Sequence, residues 1–99
     1  MTEIQGANEN RSLDEIRKDI DRVDHVIRTA FAERMALAAE IAEIKRVSGA
    51  PVYQPDREKQ IIDKLTKDSA PEIKASYESL IREILRLSRE YQERILDRT

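Results

Sequence analysis

From Leu13 onward the apolar positions recur at helical spacing. Leu13, Ile20, Ile27, Phe31, Ala38 and Ile41 line one side of a repeat of about 3.6 residues, and charged residues fill most of the rest. Ser12-Leu13-Asp14-Glu15 fits a capping box, in which a Ser hydroxyl and a Glu carboxylate satisfy free backbone N–H groups at a helix start. No Pro or Gly follows until Gly49, where Ser48-Gly49-Ala50-Pro51 breaks the pattern. The spacing predicts a helix of about 35 residues, roughly 50 Å long at ~1.5 Å per residue. A compact chain of this size has a radius of gyration of only about 13 Å, so such a helix needs a partner to pack along.

The remainder reads as two more helices after a loop of about eight residues. Pro55 and Asp56 announce the second, with Asp56 as N-cap, and Ile61, Ile62 and Leu65 supply its apolar face up to about Lys67. Ser69-Ala70-Pro71-Glu72 reads as a second capping box with Pro in the first turn. It opens a third helix to about Asp97, with the stripe Tyr77, Leu80, Ile81, Ile84, Leu85, Leu87, Tyr91 and Ile95. Ser88 and Gln92, spaced i,i+4, interrupt that stripe with polar groups on one face. The expected fold class is therefore all-α, with three helices per chain: one very long, one short and one long. Residues 1–11 are polar and aperiodic and read as a flexible N-terminal arm before an ordered unit, 12–99.

Composition narrows the function. Of the 99 residues 38% are charged and 4% aromatic, with 2 Gly and 3 Pro, which suits long helices and leaves room for one hydrophobic core. The net charge of -2, with both signs interspersed, provides no bulk positive field for nucleic acid or an anionic membrane. With no Cys and the single His25, neither disulfides nor a transition-metal site is expected, and no cofactor is implied. No apolar h-region or long apolar run appears, so the cytoplasm is the expected location.

Cations stand within the first helix's apolar repeat: Arg17, Arg34 and Lys45. Burying a charge without a partner costs several kcal/mol, so such positions ask for an anion. Arg34 and Lys45, 11 residues apart, project from nearly the same side about 16 Å apart along the axis. Arg17 lies about 42 Å from Lys45 by the same rise. If it serves a site holding Lys45, that site belongs to a second subunit, as an antiparallel two-fold dimer provides. Each residue also has a plainer reading: an arginine on so charged a helix is ordinarily solvated or paired at i,i+4, and Ser88 with Gln92 can form a simple interhelical hydrogen bond.

The combination resembles the all-helical chorismate mutase family over nearly all of the ordered chain. The carrying segments are Leu13 to Asp24, Ala32-Glu33-Arg34, Ala39 to Lys45, the Pro-Val-Tyr-Gln-Pro-Asp-Arg-Glu entry to the second helix, and Ser88 with Gln92. The resemblance implies an intertwined two-fold homodimer with shared active sites, in which chorismate is rearranged to prephenate in phenylalanine and tyrosine biosynthesis. It implies that Arg34 and the partner's Arg17 hold the substrate's carboxylates, and that Lys45 and Gln92 donate to the ether oxygen. By the same resemblance Ser88 assists with the ring carboxylate, Glu58 accepts from the ring hydroxyl, Arg57 shapes the site and Asp24 is structural. A [3,3] rearrangement needs no nucleophile or metal; restraint of the enolpyruvyl arm and charge support at the breaking C–O bond suffice.

Tyr53-Gln54 stands where some relatives carry an Arg-Asp pair, so the loop here is expected to be a looser lid. Two other readings remain open on the sequence. Isochorismate pyruvate lyase uses the same scaffold, and a helical dimerisation module would need no active site at all. Whether the chain stands alone or belongs to a fusion, and whether a partner protein regulates it, the sequence leaves open.

Overall fold

The computed structural model describes residues 10–98. Three helices follow one another: α1, Leu13–Ser48; α2, Pro55–Thr66; and α3, Pro71–Asp97. By internal contacts the chain divides into two compact units, residues 1–34 and 35–99, and the boundary falls inside α1. The all-α expectation holds, with one very long helix, one short and one long.

The start of α1 follows the capping box closely. The Glu15 backbone N–H donates to Ser12 Oγ at 3.1 Å, and the Ser12 N–H donates to Glu15 Oε1 at 2.8 Å. Two orphan donors of the first turn are thereby satisfied reciprocally. The expected arm lies outside the described residues as far as residue 9. Its last residue, Arg11, donates to the Glu15 carbonyl at 2.9 Å and pairs with Asp19 at 2.6 Å. At the other end Gly49 takes φ +77°, and its N–H donates to the Lys45 carbonyl at 2.7 Å. This left-handed residue closes the helix as a side chain at that position would resist doing.

Both later helix starts differ from expectation, for one physical reason. A residue before proline is pushed out of the α region by the proline ring. Gln54 (φ −128°, ψ 88°) therefore caps α2 and Ala70 (φ −60°, ψ 137°) caps α3, neither with a side-chain hydrogen bond. Asp56 falls inside the first turn instead of capping it. Ser69 sits one residue too early for a capping box; its hydroxyl donates back to the Leu65 carbonyl at 3.4 Å.

In the second unit α2 packs on α3. Ile62, Ile81 and Leu85 form the buried cluster, flanked by Ile61 and Tyr77. Each such side chain contributes about 1.5–3 kcal/mol by leaving water. The buried seam of α3 runs Ile81, Leu85, Ser88, Gln92, at steps of four, three and four residues. Leu80, expected in the stripe, lies about 100° off this seam and is exposed, as is Leu65 on α2.

The stretch of α1 within the first unit, 13–34, has no fully buried residue, Ile16 and Arg34 being half-buried. Leu13, Ile20, Val23, Val26 and Ile27 are all exposed, Ile27 by 57%. Within the second unit Ala38 and Ala42 are buried, Ala42 completely, while Ile41 remains 44% exposed. The inward face of this last part of α1 thus carries small residues, and the larger aliphatic side chains stand outside it. No helix among the described residues is long and apolar enough to cross a membrane.

Candidate active site

Ser88 and Gln92 occupy the continuation of the apolar seam of α3, and both are buried, with exposures of 7% and 6%. Their i,i+4 spacing stacks the two side chains one above the other. Gln92 Nε2 donates to Ser88 Oγ at 3.2 Å. The amide oxygen, Gln92 Oε1, is buried and accepts no hydrogen bond among the described residues. A buried polar atom left unmatched costs about 1–3 kcal/mol, which hydrophobic residues at these positions would avoid. The pair is thus a departure from what packing alone would select. A hydroxyl serves either as donor or as acceptor, so Ser88 can hold the amide with its N–H₂ or its oxygen turned outward.

Lys45 follows Ala38 and Ala42 on the inward face of α1 at steps of four and three residues, and it is half-buried. Its Nζ donates to the Val52 carbonyl at 3.0 Å, tying the end of α1 to the loop over residues 49–54. One of three ammonium donors is used there, leaving two.

Glu58, in the first turn of α2, is not free. Arg89 Nη1 donates to both of its carboxylate oxygens, at 2.5 and 2.6 Å, with side-chain exposures of 29% and 19% for the Arg and the Glu. The guanidinium carbon of Arg89 also lies 4.8 Å from the centre of the Tyr53 ring. Arg89 was not singled out by sequence reasoning, because on α3 it stands among arginines that pair with glutamates along the helix. Arg82 does so with Glu78, and Arg86 with Glu83 and Glu90. The signal available was position: Arg89 directly follows Ser88.

The same local pairs answer the plainer reading of the basic residues. Arg46 pairs with Glu43 and Lys59 with Asp63 at helical spacing. Arg17, Arg34 and Arg57 pair with no carboxylate among the described residues, and Arg34 is half-buried. In the first unit the structure therefore presents Arg17, exposed, and Arg34. In the second it presents Lys45, Arg57, Glu58, Ser88 and Gln92. Asp24 is exposed on α1. A surface cleft in the second unit is lined by Tyr53, Pro55, Glu58, Ile62, Asp63 and Arg82 among others, and it takes in Glu58 but not Lys45, Ser88 or Gln92.

These features describe an all-helical scaffold that carries its polar chemistry on helix faces. The chain belongs to the chorismate mutase type II family, whose sequence profile matches residues 16–93. It is 49% identical over 55 residues to a chorismate mutase of Methanocaldococcus jannaschii, a stretch covering 56% of each chain. It is 42% identical over 55 residues to a bifunctional chorismate mutase/prephenate dehydratase of Aquifex aeolicus, covering 56% of this chain and 15% of that protein. A third relative, the T-protein of Enterobacter agglomerans, is 35% identical over 57 residues, or 15% of its length. The matched stretch thus spans little more than half of the first relative and a small part of the other two.

Proposed function

We propose that this chain is a chorismate mutase, converting chorismate to prephenate by a pericyclic [3,3] rearrangement. The observation that carries the reading is the buried Ser88–Gln92 pair, polar groups kept on an apolar seam with one atom unmatched. Family membership and the mutase relatives support the same reading. Arg34 and the partner subunit's Arg17 hold the two carboxylates by forked, charge-assisted hydrogen bonds. Lys45 and Gln92 donate to the ether oxygen, where negative charge develops as the C–O bond breaks. Ser88 supports the ring carboxylate, Glu58 accepts from the ring hydroxyl, and Arg57 shapes the entry to α2. Binding in this form restrains the enolpyruvyl arm over the ring, which converts lost freedom into rate.

The working unit in this proposal is a two-fold homodimer. The open apolar stripe from Leu13 to Ile27 supports it, since a bare helix with that face in water gains nothing from folding alone. A second copy covers that stripe and delivers Arg17 to the site of the other chain.

The test is direct. Purified chain is mixed with chorismate, and loss of substrate is followed together with the appearance of prephenate; the same preparation is given isochorismate and watched for salicylate and pyruvate. Prephenate formation with no salicylate is the expected result. Salicylate as the main product would replace the mutase reading with the lyase, and no turnover of either would leave a helical dimerisation module.

A further inference from the structure

One cation outside the expected set holds three segments of the second unit together. Arg89 lies on α3, its Nη1 bridges both oxygens of Glu58 on α2, and its guanidinium stacks on Tyr53 in the intervening loop. We propose that Arg89 is a positioning residue for the active site: it fixes the Glu58 carboxylate and clasps the 49–54 loop through Tyr53. The inference rests on the mutase reading for the role of Glu58 and on geometry alone for the clasp.

A glutamate side chain has three rotatable bonds and loses them only when something holds its end. Arg89 supplies that hold with a single nitrogen, which lies between the two oxygens. A carboxylate has about four acceptor sites, so the outer lone pairs of Glu58 stay available for a hydroxyl donor. Glu58 also stands in the first turn of α2, where the helix dipole favours its negative charge.

Tyr53 closes the arrangement from the loop side. Nothing on the loop supplies a charge to bind Arg89, and the ring's π-face does so instead. One residue earlier, the Val52 carbonyl accepts from Lys45. The loop is thus fastened at two consecutive residues to two side chains, one from α1 and one from α3. The loose lid expected from Tyr53-Gln54 is here a tethered one.

The experiment uses the full chain and five proteins: wild type, Arg89→Gln, Arg89→Lys, Glu58→Gln and the Arg89→Gln/Glu58→Gln double variant. Two readouts are taken, amide hydrogen exchange over residues 50–58 and the kinetics with chorismate. Arg89→Gln is expected to speed exchange in that segment about tenfold while leaving the Ile81–Leu85 seam protected. Its kcat/KM falls about tenfold, mostly through KM, and Arg89→Lys recovers most of the loss. On the Glu58→Gln background the Arg89 change costs less than about twofold more, since its target is already gone. Exchange no different from wild type, or kinetic losses that multiply in the double variant, would overturn the proposal. If Arg89→Gln does not fold, Tyr53→Leu carries the exchange arm, and unchanged exchange there has the same consequence. A wild-type chain that leaves chorismate untouched would remove the mutase reading, while the exchange result would still decide whether Arg89 clasps the loop.

Discussion

Gln92 donates its amide hydrogen to Ser88 across one helical turn, and the amide oxygen accepts no hydrogen bond among the described residues. The side chain is neutral at every pH, so the group it offers a substrate does not titrate. Gln92→Glu changes that. A carboxyl on a buried seam ionises reluctantly, and only its protonated form can donate. The expected pH profile of kcat/KM for Gln92→Glu falls steeply as the carboxyl ionises, whereas the wild-type profile shows no such limb. A pH–rate series on both proteins checks this, and parallel profiles would remove Gln92 from the ether-oxygen site.

Lys45 donates to the Val52 carbonyl, and the mutase reading also assigns it to the ether oxygen. Lys45→Ala should lower kcat/KM by about 2.7 to 4 kcal/mol, the range of a lost oxyanion donor. The far-ultraviolet circular dichroism should stay that of a helical protein, because the lost Val52 tether is a loop contact. A folded Lys45→Ala protein as active as wild type would exclude Lys45 from the chemistry.

The proposed sharing of sites between subunits is tested by mixing two variants. Arg17→Ala and Lys45→Ala chains are each expected to be nearly inactive as homodimers. After the two are unfolded together and refolded in equal amounts, half of the dimers are mixed, and each mixed dimer has one intact site and one doubly damaged site. The mixture should therefore regain about a quarter of wild-type activity. Activity no higher than the average of the two parents would mean that Arg17 acts within its own chain or not at all.

The Ser12–Glu15 box has a pH signature. The hydrogen bonds from the Ser12 backbone and then from its hydroxyl, with a smaller contribution from Arg11, hold the Glu15 carboxyl below its ordinary value. A carboxyl depressed in the folded state stabilises above its unfolded pKa, about 4.3, and that contribution is lost as pH falls through the folded value. Ser12→Ala should cost about 1 kcal/mol at neutral pH. Glu15→Gln should melt below wild type at neutral pH, and the two melting temperatures should converge in acid, as followed by thermal melts from pH 7 down to 3.

Helices were legible wherever side-chain periodicity and local capping agreed, as at Ser12 and at Gly49. The two proline-led starts were misplaced, the first by two residues and the second by one, because Asp56 and Ser69 are good caps in isolation. Proline's exclusion of the preceding residue from helical space overrides that preference, and the cap falls to Gln54 and Ala70. Ser88 and Gln92 were visible as polar breaks in an apolar stripe, which is a one-dimensional signal. Arg89 was not visible, since its partners lie 31 residues back on α2 and on the loop before it. In sequence it cannot be told from Arg82 or Arg86, whose partners Glu78 and Glu83 sit one turn earlier on the same helix. Likewise Ile41 and Ala42 are adjacent, and hydrophobicity alone favours the wrong one for the buried face.

Gly49 has consequences beyond ending α1. Its φ of +77° is left-handed, yet a β-carbon placed there would meet no atom within 4 Å. The position therefore selects for chirality while leaving room for a β-carbon. An L-residue is opposed only by its own backbone, and a D-alanine introduced by chemical synthesis would fit the turn while narrowing the freedom of the unfolded chain. The junction between the long helix and its loop is in this sense written in mirror-image form.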